Sequence, residues 1–462
     1  MRARLIKFLN DVRASYWFIP LCMMLSAMLL ALLISWVDEG VSLEWLPWNI
    51  AASTDDARSI LSVIATSVLG VAGVTFSITI VAVSFASANF GPRLINNFMS
   101  DRGSQYTLGT FIATFVYCLT VLTNVHGSTN IESGGTTDAF VPHLSIAVAL
   151  LLTFASITVL IYFIHHITET INIENIIADI GSSLVSGMAD LRTAPDELRS
   201  ELSESFDTMV KGKLLREVPA GCIGYVQTID LERLASIAEE ENLLIRVHYR
   251  PGDFTSTHDC LLSVWTSTLE QFPEQSLREC FATGQERTVH QNVLFLVEQL
   301  GEVIARALSP GINDPFTAIS CMNWFRTALM EYLARAAERG SQHGEQDVAE
   351  EYSRVQLTPI TLSRLCQVMF DQTRQYVSAD RNVTLHVMAL LCECAWFAGE
   401  GPARTLFMEH LDKLYKSSTR QLSDAGEDAA VGERYAQALD VIAAESDKDR
   451  IRAQADWFGG SA

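Results

Sequence analysis

Four long stretches of this 462-residue chain, about 16–37, 59–87, 106–125 and 143–165, lack Asp, Glu, Lys and Arg entirely. A bilayer core takes about 20 apolar residues to cross, so each run is long enough to span it. The missing charge also excludes something. Proton- and ion-coupled carriers keep ionisable groups at mid-membrane, where their cost marks a function. A chain without them does not read as a pump, whereas conduction past hydroxyls and backbone needs no buried charge.

Catalytic signatures are missing too. The chain holds no His-Glu-x-x-His, no Gly-x-Ser-x-Gly and no Walker pattern, so an enzyme is the least favoured class. Of the nine cysteines, Cys22 and Cys118 lie in hydrophobic runs, seven lie within residues 167–462, and none falls in a loop expected outside. That usage fits a reducing compartment without disulfides. Cys392 and Cys394 lack a matching second pair, so neither zinc nor another cofactor is expected. Basic excess is absent as well. Residues 167–462 carry 26 basic against 45 acidic side chains, a net charge near −19, which would repel nucleic acid.

What is present sets a topology. Arg2, Arg4, Lys7, Arg13, Arg93 and Arg102 flank one side of the four runs, and only Arg58 flanks the other, among seven carboxylates. The positive-inside rule then puts both termini in the cytoplasm. Trp17, Trp36, Trp45 and Trp48 sit at expected interfaces. The first run is too long for a signal peptide and reads as a retained helix.

The second run is the most informative. Ser59, Ser62, Thr66, Gly70, Gly73, Ser77, Ser84 and Ser87 recur at steps of three and four, broken only around Ile80 and Val81. A stripe of this kind lets helices approach closely. In an oligomer it could equally line a narrow polar path. After the fourth run, His165 and Glu169 are four apart on one face, with His166 beside them. They read as a solvated interfacial pair or as a pH-sensitive coupling at the membrane exit.

Beyond the bilayer, Ile173, Ile176, Ile177, Ile180, Leu184, Met188 and Leu191 keep helical spacing, as an amphipathic stalk (169–215) continuing the fourth helix would. Pro195 should open a short helix. A small β-rich module is expected over 216–270, with strands near 224–229, 243–249 and 261–265 around a short helix capped by Asp230. From 271 to 462 the pattern is helical, with one helix over 288–307 that Pro310 and Gly311 stop. Asp314 and Pro315 start the next. That loop (Ser309, Pro310, Gly311, Asn313, Asp314, Pro315) reads as a helix–turn–helix, or as amides that could hold an anion beside Arg287 and Arg306.

Three strings stand out: Val83-Ser84-Phe85-Ala86-Ser87-Ala88-Asn89-Phe90-Gly91-Pro92-Arg93, then Gly224-Tyr225-Val226-Gln227 with Arg250-Pro251-Gly252-Asp253, then Glu286-Arg287-Thr288 through Ala307 to Ala318. With the four-helix head they resemble a bacterial family of predicted membrane proteins whose domain is labelled as of unknown function. The resemblance implies an inner-membrane location and no particular activity. One departure is visible, since the family usually has Gln-Asp where Gln291-Asn292 stands.

The fold expected is mainly α: a four-transmembrane-helix bundle over 1–168 plus a cytoplasmic α+β domain. The leading functional expectation is an oligomeric channel or passive transport protein taking an ion or small ligand. The runner-up is a non-conducting membrane sensor or scaffold. A membrane enzyme using His165, His166 and Glu169 comes third.

Overall fold

In a computed structural model the described residues are 15–40, 53–94, 101–126, 129–130, 136–137, 140–191, 204–267, 272–289, 291–339, 354–358, 360–423 and 428–443. The N-terminal arginines and Lys7, Trp45, Trp48 and Pro195 lie outside them. The chain divides into two units, 9–172 and 1–8 with 173–462.

The first unit contains four helices long and apolar enough to cross a membrane: α1 (Phe18–Gly40), α2 (Thr54–Phe90), α3 (Arg102–Asn124) and α4 (His143–Thr170). α3 packs against the other three. Its partners meet it through small side chains, among them Ala27, Ala31, Ala57, Ala65, Ala72 and Ala149, around Phe111 and Tyr117. A short β1 (Thr129–Asn130) pairs with β2 (Thr136–Thr137) between α3 and α4. α2 starts earlier than its apolar pattern suggests, because Ser53 caps it by accepting from Asp56 N at 3.2 Å. Its 37 residues make a rod of about 55 Å, far beyond the ~30 Å core.

The stalk is not a continuation of α4. That helix ends when Ile171 N–H bonds to Ile167 O and Asn172 N–H to Glu169 O; α5 (Ile173–Asp190) then begins. Ile177, Ile180, Leu184 and Met188 of α5 are fully buried, and α5 packs on the two helices α8 (Val293–Ala307) and α9 (Pro315–Arg339) of its own unit.

Between these lie β3 (Leu214–Pro219), β4 (Gly224–Ile229), α6 (Leu231–Glu240), β5 (Leu244–Val247), β6 (Phe254–Thr255), β7 (Cys260–Thr266), α7 (Glu274–Arg278) and β8 (Phe281–Gly284). β9 (Val355–Gln356) returns from far along the chain. One sheet runs β3-β7-β5-β9 and the other β6-β4-β8, antiparallel except for β5 with β9. The three expected strands appear as β4, β5 and β7; β3, β8 and β9 reach outside 216–270. Asp230 caps α6 through Arg233 N, as expected. The rest is helical: α10 (Leu362–Cys366), a π-helical turn Gln367–Asp371, α11 (Arg374–Val377), α12 (Arg381–Ala398), α13 (Pro402–Leu422) and α14 (Asp428–Ala443). α12 lies against α9, α13 and α14.

Candidate functional site

Helical geometry places residues three and four apart on one face, so α2 has a definite inner side. Leu61, Ile64, Val68, Ala72, Thr75 and Thr79 are buried along it. The small-residue stripe lies roughly opposite. Ser59, Ser62, Thr66, Gly70, Gly73, Ser77 and Ser84 are exposed and Ser87 is half-buried. A Cβ added at Gly70 or Gly73 would meet nothing within 4 Å. Close packing within the chain therefore does not explain the stripe. Thr66 Oγ1 donates to Ser62 O at 2.7 Å and Ser77 Oγ to Gly73 O at 3.0 Å. Donation into the helix satisfies each hydroxyl hydrogen and leaves the oxygen lone pairs facing outward.

The membrane exit separates the two histidines. His165 Nε2 lies 3.3 Å from Glu169, but the side chains are 74% and 58% exposed, so this pair is a surface contact. His166 is enclosed. Its Nε2 stands 2.9 and 3.0 Å from the two carboxylate oxygens of Asp101, and Tyr162 stacks on its ring at 5.2 Å. Asp101 also caps α3 by accepting from Gly103 N and Ser104 N. Burial pushes the Asp101 carboxyl upward, but hydrogen bonds from Ser104 and the His166 contact outweigh it and hold the group below its ordinary value. A Cβ on Gly103 would come 2.2 Å from His166 Nε2, so only glycine admits the ring here. One carboxylate thus stitches the start of α3 to the end of α4. Asp38, at the other end of the bundle, does the same for α1 and α4, accepting from Leu144 N, Ser145 N and Ser145 Oγ. Helical spacing pairs His165 with Glu169 but gives no signal for Asp101, which lies 65 residues away from His166.

The family-like strings of the second unit converge on β4. Gly224, at φ +148°, lies so close to Gly284 that a Cβ would stand 2.5 Å from its carbonyl oxygen. Gln227 Nε2 donates to Glu286 O at 2.8 Å. Gln291 Oε1 accepts from Ile229 N at 3.0 Å, extending the strand ladder with a side chain. Arg287 reaches Glu298 on α8, its guanidinium carbon 5.5 Å from the centre of the Tyr225 ring. Together these contacts clamp β4 onto α8. The helix expected from 288 begins at Val293, because Asn292 caps it through Phe295 N at 3.1 Å. Asn and Asp are equally good caps, so the departure at Asn292 keeps the local role an Asp would have.

The 309–315 loop is a helix–turn–helix that satisfies itself. Ser309 Oγ donates to Arg306 O, Asn313 N–H to Ser309 O and Asp314 N–H to Ala307 O. Asn313 takes φ +52°, and Asp314 caps α9 by accepting from Thr317 N and Oγ1. Arg306 pairs with Glu302 and Arg287 with Glu298. The loop amides of Ile312 and Asn313 donate to Ser309 O and that of Asp314 to Ala307 O, and Thr317 N alone donates to the Asp314 carboxylate.

Residues 13–393 match the model of a protein family described as "Predicted membrane protein (DUF2254)". Among curated proteins, uncharacterized proteins of Mycobacterium bovis and Mycobacterium tuberculosis are 27% identical over 405 residues, covering 84% of this chain and 73% of theirs. No solved structure matches the chain significantly.

Proposed function

The chain belongs to this family of predicted membrane proteins, and we propose that it is an oligomeric channel or passive transport protein of the bacterial inner membrane. In this reading several copies of α2 surround a path, both termini are cytoplasmic, and the C-terminal unit assembles or gates the oligomer. One observation carries it: the hydroxyl and glycine stripe of α2 faces away from its own bundle. A face meant for lipid gains nothing from Ser62, Thr66, Ser77 and Ser84, since hydrocarbon offers hydroxyls no partner. Turned towards other copies, the same oxygens would replace part of an ion's hydration. The test is conductance of purified protein in planar bilayers. Wild type conducts, and Ser77→Leu, which sets an isobutyl group in the path, reduces unitary conductance. Electrically silent protein that is folded, or a strictly monomeric protein in lipid, overturns the reading and favours a membrane-anchored scaffold.

A further inference from the structure

β3 is the edge strand of its sheet, with β7 alone beside it, and most of it is uncovered. Leu214 and Leu215 are 45% and 52% exposed, Arg216 and Glu217 are exposed with them, and only Val218 is buried. Successive residues point to opposite faces, so the edge offers a leucine on each. Its backbone is open as well. Ala220 N–H turns across the ladder to Asp259 O at 2.9 Å, whereas the Pro219 carbonyl turns outward and accepts from Arg278 Nε of α7 at 3.1 Å. The bulge at this end puts its extra residue, Leu261, on β7, so β3 keeps its alternation. Glu217 and Leu215 therefore present N–H and C=O outward, and no described strand takes them.

A free edge is a template for one more strand. The order of side chains says which. A two-fold axis normal to the sheet brings β3 of a second copy alongside, antiparallel and with like faces on the same side. Centred on Leu215, this pairing sets the two Leu215 side chains opposite each other. Lys213, just before the strand, then faces Glu217 of the second copy, and the symmetry makes that ion pair twice. Leu214 lies against the aliphatic stem of Arg216. Centring on Arg216 or on Glu217 instead opposes two guanidiniums or two carboxylates, which destabilises a sheet. The strand is complementary to itself in the Leu215 register.

We propose that β3 is a homodimer interface, pairing antiparallel with β3 of a second copy about Leu215. The interface concerns the C-terminal unit alone and does not depend on conduction. Its test is oxidative cross-linking of the full chain carrying Leu215→Cys, reconstituted in lipid. Hydrogen-bonded antiparallel partners stand about 5.5 Å apart at Cα, within the span of a disulfide. Because the chain has nine cysteines of its own, the product is scored as the peptide that joins position 215 to position 215. The expected result is a covalent dimer at 215 and about tenfold less at Glu217→Cys, since position 217 faces 213 and not itself. Adding Lys213→Glu to the Leu215→Cys protein lowers the yield several-fold, and adding Glu217→Lys to that restores it. No dimer at 215, as a segment of the same chain covering the edge would give, overturns the proposal. Equal yields at 215 and 217, or no recovery in the double exchange, do the same. Conductance without the 215 link removes this interface and keeps the channel reading; the link without conductance does the reverse. All the substituted residues are on the surface, and the melting curve of each variant checks its folding.

Discussion

The two units bury different side chains for the same purpose. The membrane unit closes its helices on alanines, with Thr114 Oγ1 and Ser156 Oγ 3.0 Å apart and Tyr117 donating to Ser145 O. The C-terminal unit buries Leu234, Ile245, Leu262, Leu300, Phe325 and Phe407. Lipid tails are as apolar as leucine, so helices in a bilayer gain from close approach and interhelical hydrogen bonds, not from expelling water. In water the area of apolar surface removed is what counts. The contrast reverses what exposure means. On α2 the exposed Val63, Val74 and Ile78 need no explanation, and the exposed serines and glycines do. In the C-terminal unit the exposed apolar side chains are the ones that stand out, Phe316, Ile223 and Phe254 among them.

The largest effect is expected where water drives burial. Phe325→Ala empties a fully buried site and should cost about 3–5 kcal/mol. Its signature is early melting and proteolysis of the C-terminal unit while the membrane fragments stay protected. Next comes a pair of neighbours on α2. Ala72→Leu overpacks the inner face and should lower bundle stability by about 1–3 kcal/mol. Gly73→Leu, on the outer face, should leave the melt of the detergent-solubilised monomer no lower than wild type. Equal losses from both would mean that the two faces are not distinct.

Asp101→Asn weakens the stitch between α3 and α4 by about 1–2 kcal/mol at neutral pH. The folded carboxyl is held below its ordinary value, so its contribution is complete above the usual carboxylate range and is lost as pH falls through the lowered value. The gap in melting temperature between wild type and variant should be present above the usual carboxylate range and close in stronger acid. A gap that persists undiminished in strong acid would contradict that assignment. His165→Ala should be the mildest change, within about 0.5 kcal/mol, because its contact with Glu169 is open to solvent.

The spans were legible because length and apolarity are properties of consecutive residues. So were the caps at Asp230 and Asp314, and the stop at Pro310, because each acts within four positions of itself. β4, β5 and β7 could be read from their branched and aromatic runs. β9 could not, since two residues carry no pattern and its place beside Ile245 depends on pairing across 110 positions. The start of α8 is not legible because Gln291 and Asn292 look helix-compatible, and only contact with β4 and the cap at Phe295 show why the helix waits. Of the residues singled out at the exit, His166 found a partner that its own neighbourhood did not contain.

The sequence by itself determined four charge-free spans, a stripe of small residues on one of them, and an acidic α+β remainder. It determined the angle between residues on α2 and left open which angle points inward. In a soluble helix the apolar side answers that, because water discriminates. In a bilayer both sides face hydrocarbon-like surroundings, so the inner face follows from shape: Ala57, Leu61, Ala65 and Ala72 fit against the rest of the bundle and the serines do not. That choice belongs to the tertiary structure, together with Asp101 meeting His166 and the outward aim of Phe316. Each depends on chain segments that only folding brings together.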